Sequence, residues 1–195
     1  MSVAILIPAA GASSRMAGRD KLLERVDGQP LLRRIVALCM PHGPVFVTLP
    51  EADHPRAAVL PQGARIVAVP DWQEGMSASL RAGNAAIPAA HDLIVLPADM
   101  PEITGADIAR VVAARVSAPD ALIWQATTQD GTPGHPVLFD ASVRDGFAGL
   151  GGDTGARAIL SAHGGRRHLV PLPGQRARVD LDTPEDWARW RQTRQ

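Results

Sequence analysis

Short apolar runs recur along this chain with helix-like segments between them, and that alternation narrows the fold more than any other feature. Val3-Ala4-Ile5-Leu6-Ile7 reads as a strand buried on both faces. Pro30 to Met40 reads as a helix with Pro in its first turn and apolar residues at Leu31, Leu32, Ile35, Val36 and Leu38. Further strands are expected at 45–49, 65–69, 93–96 and 121–124, and further helices at 77–87 and 104–116. Such strands, separated by helices, predict a three-layer α/β/α sandwich around a Rossmann-like, mostly parallel sheet. After Gln125 glycine and proline become frequent. Two short strands, around 137–139 and 177–180, predict a small antiparallel elaboration there. Gly164 to His168 reads as a solvated turn. Thr183-Pro184-Glu185-Asp186 reads as a helix start, with Thr183 as cap and Pro184 in the first position.

Length and charge limit what such a sheet can serve. The 195 residues fit one domain, spanning 1–195. Lys+Arg and Asp+Glu both number 20, which leaves no broad basic field for nucleic acid. The single cysteine, Cys39, excludes an internal disulfide and sits among apolar neighbours, as a core thiol would. No apolar run approaches the roughly 20 residues that span a bilayer, and the Val3–Ala10 stretch is too short for a signal peptide. The expectation is a cytoplasmic protein, without membrane contact and with access to nucleoside triphosphates.

The first strand runs directly into Ala9-Ala10-Gly11-Ala12-Ser13-Ser14-Arg15, followed by Lys21. In a doubly wound sheet, ligands bind beyond the carboxyl ends of the strands. Small residues there let backbone approach a ligand, and exposed N–H groups form an anion nest. Arg15 and Lys21 add charge that suits phosphate. A Walker A loop fails, because the residue five after Gly11 is Met16. The dinucleotide fingerprint G-x-G-x-x-G fails at Ser13. These residues alone leave two readings open, a phosphate cradle and an ordinary turn carrying surface cations.

Other motifs fall at matching positions. In Leu96-Pro97-Ala98-Asp99-Met100-Pro101, Asp99 lies just past a buried strand, where a carboxylate suits Mg2+ or a turn cap. Asp182 could supply a second carboxylate or cap the last helix. In Gly75-Met76-Ser77-Ala78-Ser79-Leu80-Arg81-Ala82-Gly83, two hydroxyls open a helix, either as ligand contacts at its N-terminus or as simple caps. The stretch is not a nucleophile elbow, since Ser79 stands where the second glycine belongs. His135 in Gly134-His135-Pro136, with Asp153 and Arg157 in Gly152-Asp153-Thr154-Gly155-Ala156-Arg157, completes the polar groups held in small-residue loops.

In this order the motifs resemble the MobA-like nucleotidyltransferases, and within them the MocA-type molybdenum cofactor cytidylyltransferases, over nearly the whole chain. The resemblance implies the nucleotide-diphospho-sugar transferase type of fold. It implies that CTP–Mg2+ binds across the first loop, with Ala9, Ala10, Gly11, Ala12 and Ser13 as its cradle. The terminal phosphate of molybdopterin then attacks the α-phosphorus and pyrophosphate leaves. Arg15 would hold the β/γ-phosphates and Lys21 would neutralise charge at the α-phosphate. Asp99 and Asp182 would hold Mg2+. Gly75, Ser77 and Ser79 would meet base and ribose, and His135, Asp153 and Arg157 the acceptor. Guanylyl-transferring relatives carry Ala-Gly-Gly where this chain has Ala9-Ala10-Gly11, which favours CTP. The family commonly places Gly directly after Arg-Met, where Ala17 stands here. Asp20 lies next to Lys21 and tempers the positive charge. The resemblance also implies transient contact with a molybdenum hydroxylase or its chaperone. Rival readings are a transferase using GTP or UTP, or an isoprenoid or sugar phosphate, and a non-catalytic molybdopterin-binding chaperone.

Overall fold

The computed structural model describes residues 2–194. Its core is a seven-stranded sheet in the order β5-β4-β1-β6-β8-β7-β9. The strands are β1 (Val3–Pro8), β4 (Val45–Leu49), β5 (Arg65–Ala68), β6 (Asp92–Val95), β7 (Ile123–Thr127), β8 (Pro133–Phe139) and β9 (Arg167–Pro171). All run the same way except β8, which pairs antiparallel with both β6 and β7. A two-stranded hairpin, β2 (Arg25–Val26) with β3 (Gln29–Pro30), stands apart from the sheet. The helices are α1 (Leu31–Cys39), α2 (Met76–Ala86), α3 (Gly105–Ser117), α4 (Arg157–Ala162) and α5 (Pro184–Gln192).

The layers follow from the apolar pattern. Every residue of β1 is buried. Val3, Ile5 and Ile7 pack into one core with residues of α1, α3 and α5. Ala4 and Leu6 pack into a second core with Leu80 of α2, Phe147 and Ile159 of α4. Successive strand side chains point to opposite faces, so a strand buried on both sides must be apolar throughout. Gly83 explains how closely α2 lies on β1: an added Cβ would stand 2.2 Å from the Leu6 side chain. Cys39 is buried in the first core, and that burial pushes its thiol up to about 12.

Caps set the helix boundaries. Thr104 and Asp107 form a reciprocal capping box on α3, and Thr183 and Asp186 form one on α5. Pro30 sits at the N-cap of α1 rather than within its first turn. Two expectations need correction. Residues 177–180 form no strand: Arg178 and Val179 donate to the Gln175 carbonyl in a turn. The added strand is instead β9, which begins at Arg167, inside a stretch expected to be a turn. Its residues are largely exposed, so it carries little of the apolar signal that marks the other strands. No helix among the described residues is long and apolar enough to cross a membrane.

Candidate active site

Because six strands share a direction, the loops after β1, β4, β6 and β9 emerge at one edge of the sheet. Backbone bonds tie them together there. Ala9 donates its N–H to the Thr48 carbonyl at 3.1 Å, and Leu181 donates to the Asp99 carbonyl at 3.1 Å. The second bond draws the loop after β9 against the loop after β6. Two carboxylates far apart in sequence thereby become neighbours.

Lys21 lies between them. Its Nζ donates to Asp99 Oδ2 at 2.5 Å and to Asp182 Oδ1 at 2.7 Å. Arg15 Nη2 reaches the other oxygen, Asp182 Oδ2, at 2.8 Å. Burial disfavours the Lys21 ammonium, but the two carboxylates outweigh it and hold its pKa above the ordinary lysine value. Asp180 brings a third carboxylate, and oxygens of Asp99, Asp180 and Asp182 lie within 4.8 Å of one another. Burial, then the charges of Asp99 and Asp182, push Asp180 above the ordinary carboxylate range. Asp99 Oδ1 is buried and accepts no hydrogen bond among the described residues. Three converging carboxylates, one oxygen of them unpartnered, suit a hard divalent cation with oxygen ligands.

A cleft of about 540 Å³ runs beside this cluster, lined by the 8–15 loop, Lys21, Gly75, Met76, Ser79, Asp99, Asp153 and Asp182. Gly11 lines it with no neighbour within 4 Å of where a Cβ would stand. Nothing among the described residues crowds that position, so a side chain there would fill only the cleft. A second cleft of about 890 Å³ shares Ala10 to Ser14 and Trp72, and opens toward Pro50, Ala68 and Pro70. The loop thus separates the compartment of Lys21 and the carboxylates from a second one that holds Arg56 and Asp20 beside Pro and Ala residues.

The loop owes its shape to left-handed backbone. Ser13, Ala17 and Gly18 have φ of 51°, 50° and 82°. Ala17 therefore adopts, with a Cβ, the conformation that glycine adopts freely. Asp20 does not sit against Lys21 to temper its charge: it is bound by Arg56, whose Nε and Nη2 donate to it at 2.7 and 2.9 Å. Burial raises the Asp20 pKa, but the Arg56 bonds more than offset this and hold it below the ordinary value.

The remaining expected site residues divide. Ser79 lines the first cleft, whereas Ser77 is fully buried, does not line it, and leaves its hydroxyl unpartnered among the described residues. Asp153 lies at the start of α2, accepting the Met76 N–H at 3.2 Å beside Gly75. It shares the cleft with the 8–15 loop. His135 and Arg157 line neither cleft. Arg157 is exposed at the first position of α4. His135 Nδ1 is buried and has no hydrogen-bond partner among the described residues. Burial lowers the His135 pKa against the opposing pull of the Val95 backbone and the Asp99 charge.

Sequence reasoning missed two groups here. Asp180 had a signal, because Asp180-Leu181-Asp182 puts two carboxylates at the spacing that shares a side in extended chain. Arg56 had none: one arginine after a proline in a loop gives no hint of its partners.

Residues 5–168 match the MobA-like NTP transferase domain. The chain belongs to that family. It is 28% identical over 192 residues, 93% of this chain and 92% of the relative, to the nicotine blue oxidoreductase of Paenarthrobacter nicotinovorans. The crystal structure of Rv0371c from Mycobacterium tuberculosis H37Rv superposes with a TM-score of 0.80 at 25% identity, covering 97% of each chain. The CMP:2-keto-3-deoxy-manno-octonic acid synthetase complexed with CTP superposes with a TM-score of 0.75 at 15% identity, over 100% of this chain and 98% of that one. That likeness concerns the fold alone. It identifies the sheet of this NTP transferase as the nucleotide-diphospho-sugar transferase type.

Proposed function

We propose that this member of the MobA-like family transfers CMP from CTP–Mg2+ to the terminal phosphate of molybdopterin and releases pyrophosphate, as one domain over residues 1–195. The observation that carries the reading is Lys21, held between Asp99 and Asp182 at the lip of a glycine-bearing loop. A nucleotidyl transfer needs a cation at the α-phosphate and carboxylates for a metal, side by side. Asp99 and Asp182, joined by Asp180, fit Mg2+, which would neutralise phosphate charge when bound. A manganese complex is known for the structural neighbour Rv0371c, at a TM-score of 0.76.

The chain's own residues have these roles in the proposal. Backbone N–H groups of Ala10 to Ser13 receive phosphate oxygens, while the Ala9 N–H stays on Thr48 and anchors the loop to β4. Lys21 exchanges a carboxylate partner for the α-phosphate, and Arg15 exchanges Asp182 for the β/γ-phosphates. Both are already charged and close, so little reorganisation remains. The Ala10 methyl favours a pyrimidine base. Ser79 and Gly75 meet base and ribose, while Asp153 lies along the same cleft toward the acceptor. An acceptor phosphate is a competent nucleophile at neutral pH, so positioning and charge suffice without a general base.

A substrate panel tests this: pyrophosphate release from CTP, GTP and UTP with molybdopterin, an isoprenoid phosphate and a sugar phosphate. CTP with molybdopterin is expected to turn over fastest, and no turnover with molybdopterin sinks the assignment. Binding of molybdopterin without turnover with any triphosphate would mark a chaperone instead. Capture of a molybdenum hydroxylase or its chaperone by the product-loaded protein would support the proposed delivery partner.

A further inference from the structure

Arg56 is nearly the most buried charge among the described residues, with 2% of its surface exposed, yet it stands in the single-turn helix after β4 and lines the second cleft, across the loop from Lys21, rather than a core. Its guanidinium makes four bonds, all to the loop after β1. Nη1 donates to the Ala9 carbonyl at 2.5 Å, and Nη2 donates to Ser13 Oγ at 3.1 Å. Nε and Nη2 grip both oxygens of Asp20 at 2.7 and 2.9 Å. Asp20 in turn accepts the Leu22 N–H at 3.0 Å and the Ser13 hydroxyl at 3.3 Å.

Two consequences follow. The first is geometric. Ala9 starts the loop, Ser13 holds a left-handed backbone at its bend, and Asp20 precedes Lys21. One planar fork fixes all three relative to each other and to the loop after β4. The second is electrostatic. Asp20 is a carboxylate within the segment that must receive a polyanion. Paired bidentately it is neutralised; unpaired it would repel phosphate at short range. A structural brace at this position could have used neutral partners, so the charge pairing calls for its own account.

We propose that Arg56 is a positioning residue for the triphosphate: it clamps the nucleotide loop in its receiving shape and cancels the Asp20 charge beside it. This rests on the nucleotidyltransferase reading above. It predicts a charge-specific pattern rather than general damage.

The test measures affinities for CMP, CDP and CTP, each with Mg2+, in the full-length protein and in R56A, D20N and the double variant R56A/D20N, with thermal melting alongside. R56A should lose about tenfold in CTP affinity, equivalent to about 1.4 kcal/mol, because the Asp20 charge is then left uncompensated beside the loop. The loss should shrink from CTP to CDP to CMP. The double variant should recover most of the CTP affinity, because the stranded carboxylate is gone. D20N keeps the cation and should bind CTP at least as tightly as the parent. An equal loss for all three nucleotides, or no recovery in the double variant, overturns the proposal in favour of a plain brace. Should R56A not fold, D20N decides alone: a tenfold loss of CTP affinity refutes the electrostatic role. If the unaltered protein binds no nucleoside triphosphate, the functional reading fails and not merely the role of Arg56.

Discussion

Arg56 and Arg144 are both buried, and each bonds through all three guanidinium nitrogens, but they serve opposite ends of the sheet. Arg144 lies at the end where β6 begins. Its five donors reach Asn84 Oδ1 and the carbonyls of Asn84, Ile87, Pro88 and His91, at 2.7 to 3.0 Å. None of those partners is charged. The cation satisfies orphaned carbonyls at the C-terminus of α2, where the helix dipole also favours it. Arg56, at the opposite end, holds a carboxylate, a hydroxyl and one carbonyl in a loop that contains three left-handed residues. The arginine at the closed end completes backbone hydrogen bonding. The arginine at the open end ties the start, bend and end of one loop together through side chains, next to a cleft. The same side chain is a fastening in one place and a setting in the other.

The largest test of this contrast is R144A. It leaves several carbonyls at the end of α2 without donors, which should cost about 3–5 kcal/mol of unfolding free energy in a urea titration. Nucleotide affinity of the folded fraction should stay within about twofold. A tenfold change in affinity would mean the two ends communicate, and the contrast would break. K21A should act the other way. Its turnover should drop about 10²–10³-fold, with CTP affinity falling less. Equal losses in kcat and affinity would remove Lys21 from the reaction and leave it as a counter-ion.

Gly134→Ala asks whether the carboxylate cluster depends on remote packing. A Cβ there would lie 2.0 Å from the Ala177 carbonyl oxygen, which accepts the His135 N–H at 2.8 Å. The segment that carries Asp180 and Asp182 must shift, at a cost of about 1–3 kcal/mol. Mg2+ titrated against CTP binding should show a weakened metal requirement; an unchanged titration would show that the cluster tolerates the displacement. A17G is the smallest effect and has the opposite sign. With φ at 50°, Ala17 should gain about 1 kcal/mol on losing its Cβ. A rise in melting temperature without a change in CTP affinity would confine Ala17 to backbone strain.

Much of the framework was legible in the residues. Apolar runs buried on two faces named β1, β4 and β6, and Thr183-Pro184 named the start of α5, because those signals are local and periodic. The hairpin after Lys21 was equally available in Asp27-Gly28, whose φ values of 50° and 81° suit a tight turn, but two-residue strands leave no run to notice. Strand β9 escaped because its side chains are mostly in water, and residues 177–180 misled because Ala-Arg-Val-Asp alternates like a strand while lying in a turn. Serines 77 and 79 looked equivalent in sequence; helical periodicity turns Ser77 inward and leaves Ser79 on the cleft.

By itself the sequence determined the layers, the sheet edge at which the Gly11, Lys21 and Asp99 loops emerge, and the side-chain chemistry those residues carry, since each depends on a few consecutive residues. Only the tertiary structure decided which charges pair. Lys21 meets Asp182 across 161 positions and Arg56 meets Asp20 across 36. Such pairings depend on how loops at one sheet edge converge, and Coulomb attraction acts on distance in space. No local pattern records that distance, so the partner of a lone Arg56 stays invisible until the strands are in place.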